Sequence, residues 1–170
     1  MNYMYLKIDD PDNGFTYYFE VDGDRVAYRQ IELSENNGCR LSIAPDFHLS
    51  EVLIDYEEQD LIAKEEFERA WTAAVLPYQS AWEQTKREYR IGDAVTGGIA
   101  MFYPQGVIIQ IGPGRYGAAR REELAPAPLP EYLYPGHRAD GIVLGYDEDN
   151  FWLVLGDVRV TEENIAIEWG

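Results

Sequence analysis

The sequence predicts an α+β chain: an N-terminal antiparallel β-meander with a long, proline-interrupted helix over residues 1–88, then a small β-barrel over residues 89–170. Three observations predict it. Residues 3–33 alternate apolar and polar side chains with turn clusters between them; from Ala63 the apolar spacing changes to three and four; beyond Arg90 short apolar runs alternate with Gly and Pro.

Tyr3–Ile8 is rich in aromatic and aliphatic side chains and ends at Asp10-Pro11-Asp12-Asn13-Gly14, residue types that favour turns, so a strand and a turn are expected. Phe15–Val21 reads as a second strand. Asp22-Gly23-Asp24 suits a tight hairpin, and Arg25–Leu33 sets Val26, Tyr28 and Gln30 against Arg29, Ile31 and Leu33. Arg40–Ile43 and Val52–Tyr56 are expected to add shorter strands. Cys39, in Asn36-Asn37-Gly38-Cys39, reads as a loop thiol.

The helix stripe is Phe67, Trp71, Ala74, Tyr78 and Trp82, with Lys64, Glu65, Glu68, Arg69 and Gln79 between, and its apolar face is expected to pack on the meander. Pro77 lacks a backbone donor and predicts a kink or break near Leu76. In the second half the expected strands are Ala94–Met101, Gly106–Ile111, Gly141–Leu144 and Phe151–Leu155, with Val158–Val160 and Ile165–Trp169 after them. Ala125-Pro126-Ala127-Pro128-Leu129-Pro130 reads as a long, extended inter-strand loop.

Charge bounds the partners. The chain has 14 Lys and Arg against 31 Asp and Glu, net −17, a field that repels phosphate backbones and attracts cationic surfaces. Residues 1–89 hold 8 basic and 19 acidic side chains, and residues 90–170 hold 6 and 12, so the first half is the stronger attractor. The acidic side chains expected to meet a basic protein partner are Asp9, Asp10, Asp12, Glu57, Glu58 and Asp60. No apolar run approaches the ~18 residues needed to cross a bilayer, and the start of the chain alternates like a strand. No membrane association and a cytoplasmic location are the expectations. One Cys and two His are too few for a Cys/His zinc cage, so no metal is expected.

Neither His48 nor His137 lies in a nucleophile or metal motif, and the expectation is no enzyme and no cofactor. Gly112-Pro113-Gly114-Arg115-Tyr116-Gly117 fits GxGxxG, but too few residues follow for the crossover helix of a dinucleotide site, so it reads as a barrel turn. Asp147-Glu148-Asp149-Asn150 has the acidic spacing of a calcium loop without its glycine or distal glutamate, and reads as a hairpin turn.

Ile91–Ile99, Gly106–Gly112, Gly117–Leu124, Pro135–Asp147 and the apolar run to Leu155 follow an order and separation that resembles the ribosomal S-one RNA-binding domain, over about residues 89–156. The resemblance implies a five-stranded OB-type barrel. It also implies a nucleic-acid site, but the side chains differ. Gln105 and Ile108 stand where the family has base-stacking aromatics, Arg120 where it has a histidine, and Phe151 or Trp152 where it has basic residues. Stacking contributes roughly 1–3 kcal/mol per base, so a nucleic-acid reading needs a rebuilt site, for which Phe102, Tyr103, Arg115, Tyr116, Arg120 and Arg121 are the candidates. In the first half, Lys64-Glu65-Glu66-Phe67-Glu68-Arg69-Ala70-Trp71 after a meander resembles small bacterial proteins, some of them similar to immunity proteins of toxin systems. With the net charge of −17, the leading expectation is a non-catalytic acidic protein-binding protein, such as an immunity or antagonist protein for a basic partner like a nuclease toxin. A nucleic-acid-binding regulator acting through the barrel is the alternative.

Overall fold

The computed structural model describes residues 2–36, 38–126 and 135–168. The chain divides into two compact units, 1–79 and 80–170. The compositional boundary after residue 88 therefore differs from the structural one, which assigns the second half of the helical stretch to the barrel unit.

In the first unit, β1 (Met4–Asp10), β2 (Phe15–Val21), β3 (Ala27–Ser34) and β4 (Gly38–Leu41) form the expected antiparallel meander. A two-residue strand, β5 (Leu61–Ile62), joins the free edge of β1, giving the order β4-β3-β2-β1-β5. Val52–Tyr56 is not a strand. Ile54 donates its N–H to the Arg25 carbonyl and buries its side chain with Leu6, Phe19, Val21 and Ala27, so this segment covers one sheet face instead of extending the edge. Cys39 lies in β4, not in a loop, and is exposed.

The other sheet face receives α1 (Lys64–Val75), whose buried positions Phe67, Trp71 and Val75 recur every four residues. Phe67 meets Tyr5 with ring centroids 5.2 Å apart. Between sheet and helix lies a charged triad: Arg29 on β3 bonds Glu20 on β2 through Nε (3.0 Å) and Nη2 (2.8 Å), and both its Nη atoms reach Glu68 on α1. The guanidinium also lies over Phe67 (4.8 Å) and Trp71 (5.1 Å). Burial alone would lower the pKa of Arg29, but the hydrogen bonds and charges of Glu20 and Glu68 outweigh it and raise it further.

The long helix is the element the structure corrects. Residues 76–78 form a 3₁₀ turn around Pro77, so the stretch becomes α1, of 12 residues, and α2 (Gln79–Glu88), of 10. Phe67 and Trp71 serve the first unit, whereas Trp82 on α2 joins the core of the second.

That second unit is a closed barrel of five long strands: β6 (Ala94–Tyr103), β7 (Gly106–Gly112), β8 (Arg115–Ala119), β10 (His137–Asp147) and β11 (Trp152–Asn164). The ring order is β6-β7-β8-β11-β10, closed by β10 on β6 and mixed because β8 runs parallel to β11. A short strand the sequence pattern did not reveal, β9 (Leu124–Ala125), continues along the same edge of β11. The expected Val158–Val160 strand is the continuation of β11. Residues 165–168 are not a strand, and the expectations for Ala127-Pro128-Leu129-Pro130 and Trp169 lie outside the described residues. Ile99, Val107, Ile109, Val143, Leu153, Leu155 and Val158 fill the interior.

Trp82 closes this core. It stacks on Phe151 (5.7 Å, 11°), meets Tyr146 edge-on (6.1 Å, 80°) and donates Nε1–H to Glu148 Oε1 (3.0 Å). Lys86 Nζ donates to both oxygens of the same carboxylate, and Tyr146 donates its hydroxyl to the Tyr89 carbonyl (2.7 Å). GxGxxG proves to be the β7–β8 hairpin, and Asp147 Oδ1 accepts the N–H groups of Asp149 and Asn150 in the β10–β11 turn. Among the described residues, no helix is long and apolar enough to cross a membrane.

Candidate functional site

The acidic candidates fall into two groups on the first unit. Asp9 and Asp10 end β1, and Asp12 sits in the hairpin that leads to β2. Local bonds shape this hairpin: Asn13 Nδ2 donates to Asp10 Oδ2 (2.9 Å) and Thr16 Oγ1 to Asp9 Oδ1 (2.9 Å). Gly14 adopts φ +74°, in the left-handed region that side chains disfavour, and its carbonyl accepts the N–H of Glu35 (3.1 Å). That bond places a further carboxylate, missing from the sequence expectation, beside the hairpin.

The result is a groove of about 560 Å³ whose walls include Asp9, Phe15, Thr16, Leu33 and Glu35. Leu33 is 39% exposed although it belongs to a central strand of the meander. The register explains its place: Asp9 pairs with Thr16, and Thr16 with Leu33, so the three lie side by side across the sheet. An aliphatic floor beside two carboxylates suits a Lys or Arg side chain, which buries its methylene stem while its charge stays near acid.

Glu57, Glu58 and Asp60 form the second group, in a 3₁₀ turn before β5. Asp60 Oδ2 accepts the Glu57 N–H (2.9 Å), so this carboxylate holds the turn as well as contributing charge. Through β5 the turn lies at the edge of the sheet next to β1, the strand that carries Asp9 and Asp10.

The nucleic-acid candidates are not brought together as one set. Phe102 pairs with Val107 at one end of β7, whereas Arg115 pairs with Gly112 at the other. Arg115 donates to Glu88 through Nε (2.9 Å), and this contact, followed by the bond from Gln84, lowers the Glu88 pKa to about 2. Tyr116 is buried, with its hydroxyl accepting from Gln110 Nε2 (3.1 Å). Tyr103 is held edge-on to Trp152, and burial raises its pKa. Phe102, at 40% exposure, and the exposed Arg120 and Arg121 remain on the surface, with Arg120 3.5 Å from Glu122. Phe151 stacks on Trp82, and Trp152 is buried against Tyr103, so both serve packing.

No protein-family model matches the chain, and no curated protein matches it either.

Among the described residues no group of His, Cys, Asp and Glu is arranged to hold a metal ion. His48 Nε2 lies 3.0 Å from Glu32 Oε1 beside a cavity of about 360 Å³ lined in part by Tyr17 and Phe19, while Arg40 stands 3.7 Å from the other Glu32 oxygen. His48 and Arg40 already contact both oxygens of the Glu32 carboxylate, so the pair fixes the 48–50 segment onto the sheet.

Proposed function

We propose that this chain is a non-catalytic, acidic protein-binding protein that docks a basic partner through its first unit. The observation that carries the reading is the groove at the β1–β2 hairpin, whose walls bring Asp9 and Glu35 together with the exposed Leu33 on a chain of net charge −17. Complementary charge accelerates encounter and disfavours wrong partners, and an apolar floor adds contact area that charge alone does not supply. A toxin nuclease, whose phosphate-binding face is basic, is the partner class that fits; the chain then acts as its immunity or antagonist protein in a bacterial cytoplasm. The barrel is an OB-type accessory module. Its ring order, with the third long strand parallel to the fifth, supports that assignment.

The test is calorimetric titration with a lysine-rich peptide at several salt concentrations. Binding that weakens with salt, and that Asp9→Asn/Glu35→Gln reduces severalfold, supports the groove. A control, Glu122→Gln/Glu162→Gln, removes equal charge from the barrel unit. Equal losses in both variants reduce the effect to net charge and remove the groove from the argument.

The second reading, single-stranded nucleic acid held by the barrel, rests on Phe102, Arg120 and Arg121, which stay exposed. The acidic partners of Arg115 and Arg120 oppose it. Titrating fluorescent single-stranded RNA at low salt separates the two readings.

A further inference from the structure

Val107 and Ile109 turn into the barrel core, so Gln110, the next residue along β7, points to the outer surface. It is nevertheless 6% exposed. Beside its cross-strand partner Tyr116, whose hydroxyl accepts from its Nε2 (3.1 Å), the chain's own segment 165–168 covers it. Gln110 Nε2 donates to the Glu168 carbonyl (2.6 Å), and Gln110 Oε1 accepts the Glu168 N–H (2.6 Å). One side-chain amide thus pairs with both main-chain groups of a single residue, as a neighbouring strand would.

The rest of the seat is built for close approach. A Cβ on Gly98 would lie 2.8 Å from Ile167 Cδ1 and 3.2 Å from the Ile165 carbonyl oxygen, so the glycine lets the segment seat closely against β6. Ile165 donates its N–H to the Gly136 carbonyl (2.7 Å). Ile165 and Ile167 are half-buried, whereas Ala166 and Glu168 between and after them are exposed. Beside the segment a cavity of about 200 Å³ remains, bordered by Thr96, Ile111 and Pro113.

We propose that this outer face of β6 and β7 is a binding cleft for an extended peptide, and that residues 165–168 are its resident, displaceable occupant. Recognition runs through the main chain by way of Gln110, which makes it tolerant of sequence, and through aliphatic side chains at alternate positions, which selects Ile-x-Ile-like segments. The excess of acid over base in residues 90–170 disfavours a polyanion in the same seat. The few hydrogen bonds that seat the segment are comparable in size with the backbone freedom lost on ordering it, which makes displacement by a competitor accessible. The proposal is independent of the acidic groove.

The test uses the full chain and a fluorescent peptide with the sequence of residues 163–170. Ile167→Asp in the protein removes the aliphatic anchor of the resident segment while leaving the cleft intact. The peptide is expected to bind Ile167→Asp at least ~tenfold more tightly than the unaltered chain, because a tethered segment competes at millimolar effective concentration. Adding Gln110→Ala to Ile167→Asp is expected to abolish that binding. No saturable binding to Ile167→Asp, or binding indifferent to Gln110→Ala, overturns the proposal. Hydrogen exchange of the unaltered chain decides independently of the variants. Exchange at the Glu168 amide well before the β10–β11 amides supports a displaceable segment, and exchange only together with them makes 165–168 a fixed part of the barrel.

Discussion

Replacing Arg29 by Met tests whether the charged triad joins α1 to the meander. The guanidinium side chain is 4% exposed, Glu20 is 11% exposed and Glu68 34%. Met keeps most of the volume and removes the charge. Glu68 can turn toward water, but Glu20 stays in place with only the Tyr5 hydroxyl donating to it (3.0 Å) among the contacts of the triad. Removing one partner of a buried ion pair costs about 3–5 kcal/mol, because the other charge remains desolvated. Against a typical domain stability of about 5–15 kcal/mol, that is enough to unfold a large fraction of the first unit under mild stress. At about 4–8 °C per kcal/mol for a unit of this size, its melting transition should fall by more than ~10 °C. Calorimetry measures the fall, and hydrogen exchange locates it: β1–β3 amides should lose protection while β10–β11 amides keep theirs. The deficit should shrink on acidification, because protonating the stranded carboxylates removes the uncompensated charge that Arg29→Met creates. A triple variant, Glu20→Gln/Arg29→Met/Glu68→Gln, should recover much of the loss for the same reason. A cost below ~1 kcal/mol at neutral pH, or a loss of protection spread equally over both units, would refute the reasoning.

Other perturbations address the barrel and the alkaline limit. Trp82→Ala should destabilise the second unit by about 3–5 kcal/mol, since the ring stacks on Phe151 and closes the core; urea unfolding followed by barrel-unit exchange measures it. Gly106 has φ +147°, and a Cβ there would stand 2.2 Å from the Ala119 carbonyl oxygen, so Gly106→Ala should shift or break the β7–β8 pairing; barrel amides that exchange as in the unaltered chain would count against this. Burial, then the Glu20 charge, raises the Tyr5 pKa to about 12 from an ordinary 10.0. The unfolded chain therefore releases this proton first as pH rises, and the first unit loses stability between those two values. Tyr5→Phe should lessen that alkaline slope while costing about 1 kcal/mol at neutral pH through the lost bond to Glu20; an unchanged slope across alkaline unfolding curves would exclude Tyr5 as its source.

The meander strands were legible because one side chain in two faces a core, a period that shows directly in Phe15–Val21, and the barrel strands because short apolar runs such as Gly106–Ile111 stand between Gly and Pro. Turn chemistry was legible for a similar local reason: Asp10–Gly14 and Gly112–Gly117 carry the residues that tight backbone paths require. Pro77 announced the break in the helix because its ring and missing donor act within one turn. The net charge, and its concentration in the first half, needed nothing beyond counting.

What stayed hidden depends on contacts between residues far apart in sequence. A period of three and four joins Phe67, Trp71 and Trp82 in one stripe, yet the 3₁₀ turn at Pro77 ends α1, and Trp82 on α2 belongs to a different core from the other two. Val52–Tyr56 has the composition of a strand, but the open edge of β1 was taken by Leu61–Ile62, and Ile54 found burial on the sheet face. Glu35 joined Asp9 only through the register of β1, β2 and β3, and Gln110 met Glu168 across 58 positions of chain. Local sequence determines which backbone shapes and which faces are available. The packing of distant side chains selects among them, because burial and hydrogen-bond pairing are settled only once the whole core has closed.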